Sequence, residues 1–438
     1  MSERLAILGG EPAIRNQHDE LFQWPVFGPE EEAAVLELMR KPNFFDNQTV
    51  PAFERDFRDW LGVEYVLSES SGTHAVLGAL YGVGVGAGDE VIVPTSTYWA
   101  SAVQVMSLRA TIVFADIDPM TLNIDPADLE RRITDRTKAI VVVHMLGYPA
   151  EMDRIMQIAA RHGIKVVEDA SHAHGSLYRG RKVGTLADVA AFSLCGKPLA
   201  VGEGGILVTD DRTIFDRAVA WGHNFRFNAD EVKDPALLRY AGLPLGGITS
   251  RMHNLSAAVG RVQLRRYDER MREIDQAMNH FWDLLADLPG IHAHRPPRDS
   301  GSTMGGWYCP HAVYRAEELG GLSAARFAEA VRAEGFHTWT RQCIREPLHL
   351  HPLFQDADVY REGRPTNAAS GRLVPQGRGD LPRAEGARAF TVPPFKRYEP
   401  AVIEQYAALF RKVVEQHEQL HEGDRGDETV QVDERGNG

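Results

Sequence analysis

Lys197 stands inside Phe192-Ser-Leu-Cys-Gly-Lys197-Pro-Leu-Ala-Val-Gly202-Glu-Gly-Gly205, and Asp169 lies upstream in Val167-Glu-Asp169-Ala-Ser-His172-Ala-His174-Gly175. A lysine amine forms a Schiff base with an aldehyde, stays beside it once a substrate amine has displaced it, and can then carry protons. A carboxylate at the end of an apolar strand sits in low dielectric and persists there beside hydrogen-bond donors or a positive partner. A protonated pyridine nitrogen is such a partner. Together the two side chains match what pyridoxal 5'-phosphate requires of a protein: capture of its aldehyde, and a ring kept cationic so that it can absorb the electrons of a carbanion. A lysine alone is an ordinary surface residue. The glycines around Lys197, which let backbone approach a flat ring, and the upstream Asp169 carry the reading.

Ser70-Ser-Gly72-Thr73-His-Ala follows an apolar strand and opens a helix, so its N–H groups and hydroxyls face any anion placed there, and the cofactor phosphate is expected at this point. Tyr98 and Trp99, just past Pro94 at the next strand end, offer a ring to stack on the pyridine. Gly82-Val-Gly84-Val-Gly-Ala87 satisfies a dinucleotide fingerprint, but it follows a helix and precedes a strand, the reverse of the order such a site needs. The pairs His172/His174 and His349/His351 have no accompanying carboxylate or cysteine set, and no metal is expected.

These residues need a scaffold. From about residue 60 short strands that are apolar almost throughout alternate with helix-like segments, which predicts an α/β fold whose mainly parallel sheet is covered on both faces. Ligands then bind beyond the carboxyl ends of the strands, where Asp169 and His144 fall. Val189–Leu194 and Gly205–Thr209 bracket Lys197 with too few residues for a crossover helix and are expected as antiparallel neighbours. Leu255–Met278 reads as one long helix, Trp307–Tyr314 as a strand, Ser323–Arg332 as a helix, and Asp356–Arg388 as a long loop. The expected division is a large cofactor-binding domain with an N-terminal arm over 1–285, a smaller C-terminal α+β domain over 286–420, and a disordered tail over 421–438.

At 438 residues the chain can bury a deep site, and 43% hydrophobic with 25% charged residues is ordinary for a soluble globular protein. No apolar run is long enough to span a bilayer, and the first ten residues lack a secretory pattern, so a cytoplasmic location is expected. The net charge of −13, without a clustered basic stripe, argues against nucleic acid and anionic membranes as partners. Cys195, Cys309 and Cys343 are expected as free thiols.

With these residues in hand, the chain resembles the DegT/DnrJ/EryC1/StrS family of sugar and cyclitol aminotransferases. The matching segments are Leu5-Ala-Ile-Leu-Gly-Gly-Glu-Pro12, Ser71-Gly-Thr-His-Ala75, Gly88–Pro94, Glu168–Gly175, Lys197 with Gly202–Gly205, and Arg251-Met-His-Asn-Leu-Ser-Ala-Ala-Val-Gly260; Pro347-Leu-His349 and Pro352-Leu-Phe354 resemble the family's small-domain motif. The resemblance implies an aspartate-aminotransferase-like fold with a sheet of the seven-stranded type. It implies that Lys197 binds the aldehyde, Asp169 the pyridine nitrogen, and Gly72, Thr73 and Ser193 the phosphate. His172 would lie near the ring hydroxyl, Tyr98 would stack on the ring, and Arg251 would reach the cofactor of a neighbouring subunit, which makes a homodimer with shared active sites. The opening Leu-Gly-Gly-x-Pro is similar to that of members acting on cyclitols or making aminobenzoate precursors.

The function expected is therefore transfer of an amino group from an amino acid, glutamate or glutamine, to a keto-sugar or keto-cyclitol. The alternative with the same cofactor is a lyase or dehydratase acting on a sugar.

Overall fold

The computed structural model describes residues 4–42, 48–336, 346–368 and 376–427. Seven strands form the main sheet: β1 (Tyr65–Glu69), β2 (Glu90–Pro94), β3 (Thr111–Ala115), β4 (Thr137–Val143), β5 (Lys165–Asp169) and, past a small hairpin of β6 (Leu177–Tyr178) and β7 (Arg181–Lys182), β8 (Val189–Ser193) and β9 (Gly205–Thr209). Their spatial order is β1-β9-β8-β5-β4-β2-β3. Six run the same way and β9 alone opposes its neighbours β1 and β8.

Every strand of this sheet is apolar because both of its faces are buried. Alternate side chains point to opposite faces. Ile140, Val142, Val166, Phe192 and Ile206 enter one core, while Ala139, Val141, Val167, Ala191 and Leu207 enter the other. The first core continues without a break into Phe327 and Val331 of the helix Ala324–Ala333 and Tyr406 and Phe410 of the helix Pro400–Glu415. A second sheet of β10 (Ile291–Ala293), β11 (His311–Tyr314) and β12 (Ala389–Thr391) is antiparallel throughout. Among the described residues no helix is long and apolar enough to cross a membrane.

The expected single helix Leu255–Met278 is two, Asn254–Arg265 and Tyr267–Leu284, with Arg266 at φ −102, ψ 0 between them. The break turns Tyr267 inward, where its buried hydroxyl donates to the His174 carbonyl at 2.8 Å. The strand expected from Trp307 begins only at His311. Part of the expected loop 356–388 covers the outer edge of the main sheet: the Asn367 and Gln376 carboxamides accept from the N–H groups of Ile112 and Phe114 at 2.7 and 2.9 Å and donate to carbonyls of the same residues, closing off β3 as a further strand would.

The first residues, read as an arm of the large domain, are held by the C-terminal part. Buried Glu334 accepts from the N–H groups of Ala6 and Ala13 at 2.7 and 3.0 Å and pairs with Lys412 at 2.8 Å. Of the tail read as disordered from 421, residues up to Asp427 are described and are bonded. Asp424 accepts from the Ser323 N–H and hydroxyl, and Asp427 pairs with Arg388. The remainder of that tail lies outside the described residues, as does Cys343; Cys195 and Cys309 are free thiols.

Candidate active site

Strand register gathers the sequence-identified residues at one end of the strands. Asp169, the last residue of β5, pairs with Ala191 of β8, and two residues on Ser193 pairs with Gly205, which also pairs with Glu69 of β1. The chain then turns directly into Ser70-Ser71-Gly72. A Cβ on Gly72 would lie 2.4 Å from the Ser193 Cβ, and one on Gly205 would lie 2.2 Å from the Ser71 carbonyl oxygen. Bare backbone at both positions lets the three loops close into one cradle. Its floor is the first turn of the helix Gly72–Gly82, where the Ser71 hydroxyl accepts from the His74 N–H at 3.2 Å and Thr73 is the second helical residue.

Asp169 is buried, and two donors hold its carboxylate: the Ser101 hydroxyl at 2.6 Å and the Ser171 N–H at 3.2 Å. Neither brings positive charge, and no Lys, Arg or His of the described residues forms an ion pair with it, so the carboxylate retains capacity for a cationic partner. Ser101 stands one turn beyond Tyr98, whose carbonyl accepts from the Ser101 N–H. The Tyr98 ring lies 5.1 Å from that of Trp99, and both are largely exposed at the mouth. His144, at the neighbouring strand end, is absorbed into structure: it bonds buried Glu168 at 3.0 Å and accepts from the Ala150 N–H.

Lys197 leaves the loop joining β8 to β9. Its Nζ donates to the Tyr308 hydroxyl at 3.0 Å, and its carbonyl accepts from the Trp24 indole at 3.1 Å. His172 accepts from the Leu146 N–H through Nδ1 at 3.3 Å and stacks on Tyr308 with ring centroids 4.4 Å apart. Burial, followed by the charge of Lys197, holds His172 well below the ordinary histidine range. The same two causes push His174 down to about 3, and neither of its ring nitrogens makes a well-formed hydrogen bond. Two neutral imidazoles beside an amine make a site that holds few competing charges.

Arg251 lies beside the cradle of its own chain. Its backbone bridges to Glu69, the Ser250 carbonyl accepts from the Ser70 N–H at 2.5 Å, and its guanidinium stands 4.4 Å over the Phe225 ring.

Residue types thus fit a group with three handles: an anion cradle at Gly72, Thr73 and Ser193, a buried carboxylate for a cationic ring atom, and an amine for an aldehyde. Sequence reading missed Ser101, Trp24, Tyr308 and Lys396. Ser101 and Trp24 carry no motif. Gly305-Gly306-Trp307-Tyr308-Cys309-Pro310 did carry a signal, a glycine pair running into aromatics, that reading it as a strand obscured.

Known proteins resemble this chain along most of its length. The model of the DegT/DnrJ/EryC1/StrS aminotransferase family matches residues 25–373. The chain is 33% identical to the L-glutamine:scyllo-inosose aminotransferase of Streptomyces griseus over 95% of its own length and 98% of that protein's. It is 41% identical to the GDP-perosamine synthase of Caulobacter vibrioides over 54% of its length and 62% of that protein's. Among solved structures, an aminotransferase from Psychrobacter cryohalolentis superposes with a TM-score of 0.76 at 27% identity, covering 91% of this chain and 99% of that one. This chain is an enzyme belonging to the DegT/DnrJ/EryC1/StrS aminotransferase family.

Proposed function

We propose that this aminotransferase uses pyridoxal 5'-phosphate to move an amino group from glutamine or glutamate to a keto-cyclitol or keto-sugar. The observation that carries the reading is the gathering of the Lys197 loop, the Asp169 carboxylate and the Gly72/Ser193 cradle at one end of the sheet's strands. When bound, the cofactor supplies an aldehyde that takes up the donor's nitrogen and a cationic ring that accepts the electron pair released at the reacting carbon.

The protein supplies everything else. Gly72, Thr73 and Ser193 hold the phosphate, and the start of the helix Gly72–Gly82 adds its dipole. Asp169, fixed by Ser101, binds the pyridine nitrogen and keeps it protonated. His172, a neutral imidazole, would serve the ring hydroxyl, and Tyr98 would stack on the ring. Lys197 would hold the aldehyde and, when free, would carry a proton at Nζ to and from the substrate carbon. Exposed Phe225 and Leu243, 64% and 74% accessible in the single chain, offer apolar surface for a homodimer.

A cyclitol acceptor is favoured because the relative matched along nearly the whole chain, 95% of it, is named for glutamine and scyllo-inosose. The test is to record the visible spectrum of the cofactor-loaded protein while adding glutamine, glutamate and alanine in turn, and then scyllo-inosose or a nucleotide-linked keto-sugar. Loss of the band with glutamine or glutamate, and its return with one acceptor and stoichiometric amine transfer, supports the reading. Release of water or ammonia without amine transfer replaces it with the lyase alternative.

A further inference from the structure

Nothing above assigns work to Tyr308, although its hydroxyl is the partner of the Lys197 amine at 3.0 Å and its ring centroid lies 4.1 Å from the same nitrogen. The ring is also stacked on His172. The segment that presents it is strained: Trp307 and Cys309 have φ of 47° and 48°. Left-handed backbone at bulky residues persists only where the surroundings over-determine it.

Four contacts do so here. A Cβ on Gly305 would lie 2.4 Å from the His174 carbonyl oxygen, and one on Gly306 would lie 2.2 Å from the Pro198 Cβ, so the segment presses on the loops carrying His172 and Lys197. The Trp307 indole donates to Asp275 at 2.9 Å. Buried Lys396 donates through Nζ to the carbonyls of Gly306 and Trp307 at 3.4 and 3.3 Å. Burial pushes this second amine down to about 8, consistent with a group enclosed behind the segment.

We propose that Tyr308 is a further catalytic residue, its hydroxyl holding the Lys197 amine in place, and that Lys396 is a positioning residue acting through the Gly305–Cys309 segment. The inference rests on the aminotransferase reading above. A free lysine amine on a four-carbon stem samples many rotamers, whereas one tethered to a fixed phenol stays within reach of the reacting carbon. The phenol oxygen accepts an N–H of that amine, and Tyr308→Phe removes the acceptor.

The test uses the cofactor-loaded protein in single turnovers with glutamine, following the visible band. Tyr308→Phe keeps the ring and its stack on His172 but removes the acceptor. It is expected to retain the cofactor on Lys197 and to leave the KM for glutamine within about threefold, while slowing the turnover about 10- to 100-fold. The pH at which the visible band is half converted should fall by about half a unit or more, which a purely structural role would not move. Lys396→Met should give a smaller change of the same kind, and the double variant should be no slower than Tyr308→Phe alone.

Turnover of Tyr308→Phe within about twofold of wild type with an unmoved pH midpoint overturns the role of Tyr308. Additive effects in the double variant overturn that of Lys396. Absence of the band in the wild-type protein removes the proposed function and this inference with it, whereas an intact wild type beside an unchanged Tyr308→Phe removes the inference alone.

Discussion

The Ser101 hydroxyl donates to Oδ2 of Asp169 at 2.6 Å, tying the start of the helix Ala100–Ser107 to the end of β5. The short bond fixes the one buried carboxylate assigned to the ring nitrogen. Asp169→Asn should lower kcat/KM about 100-fold or more, since the carboxamide cannot hold a proton on that nitrogen by charge. Ser101→Ala leaves the carboxylate in place but loosens it, at a cost of about 1–3 kcal/mol, or roughly tenfold in activity. Steady-state kinetics and cofactor titration of both variants check the order; equal effects would contradict it.

Gly72 owes its identity to Ser193. A methyl group at position 72 would sit 2.4 Å from the Ser193 Cβ and 2.8 Å from its Cα. Gly72→Ala should open the cradle, costing about 1–3 kcal/mol in stability and weakening the cofactor about tenfold or more. Adding Ser193→Gly removes the nearer atom and should restore part of the stability, read from urea midpoints, but not the affinity, since it also removes a group assigned to the phosphate. Spectroscopic titration of the single and double variants measures the affinity; normal cofactor binding by the Gly72→Ala protein would contradict the cradle.

Stability in acid draws on the buried imidazoles, His172 among them. Burial is the leading cause that holds His174 down to about 3 and His294 and His311 down to about 4. Below pH 6.5 the unfolded chain takes up protons at these positions and the folded one does not, so stability is complete above 6.5 and is lost as pH falls toward 4. Each group contributes a slope of about 1.4 kcal/mol per pH unit in that window. Urea midpoints measured from pH 7 to 4.5 should decline steeply; a flat profile between 6.5 and 4.5 would contradict it.

Much of the scaffold was legible because a doubly covered parallel sheet imposes continuous apolar strands, and runs such as Ala139–Val143 and Val189–Leu194 have that character. Lys197, Asp169 and Gly72 were legible because glycine-rich frames and strand ends are local features, and the strand pairing then brought them to one end of the strands. Trp24 and Tyr308 were not, since each reaches Lys197 from more than a hundred residues away in sequence through contacts without local pattern. The break at Arg266 was also hidden: the helical periodicity runs through it, and only the tertiary bond from Tyr267 to His174 makes use of the turn.

Borohydride reduction of the pyridoxal 5'-phosphate-saturated protein, followed by peptide mapping, tests the central claim most directly. The pyridoxyl label is predicted on Lys197, which faces Tyr308 and His172. A label on Lys396, the buried amine behind the Gly305–Cys309 segment, or no label at all, would contradict the assignment.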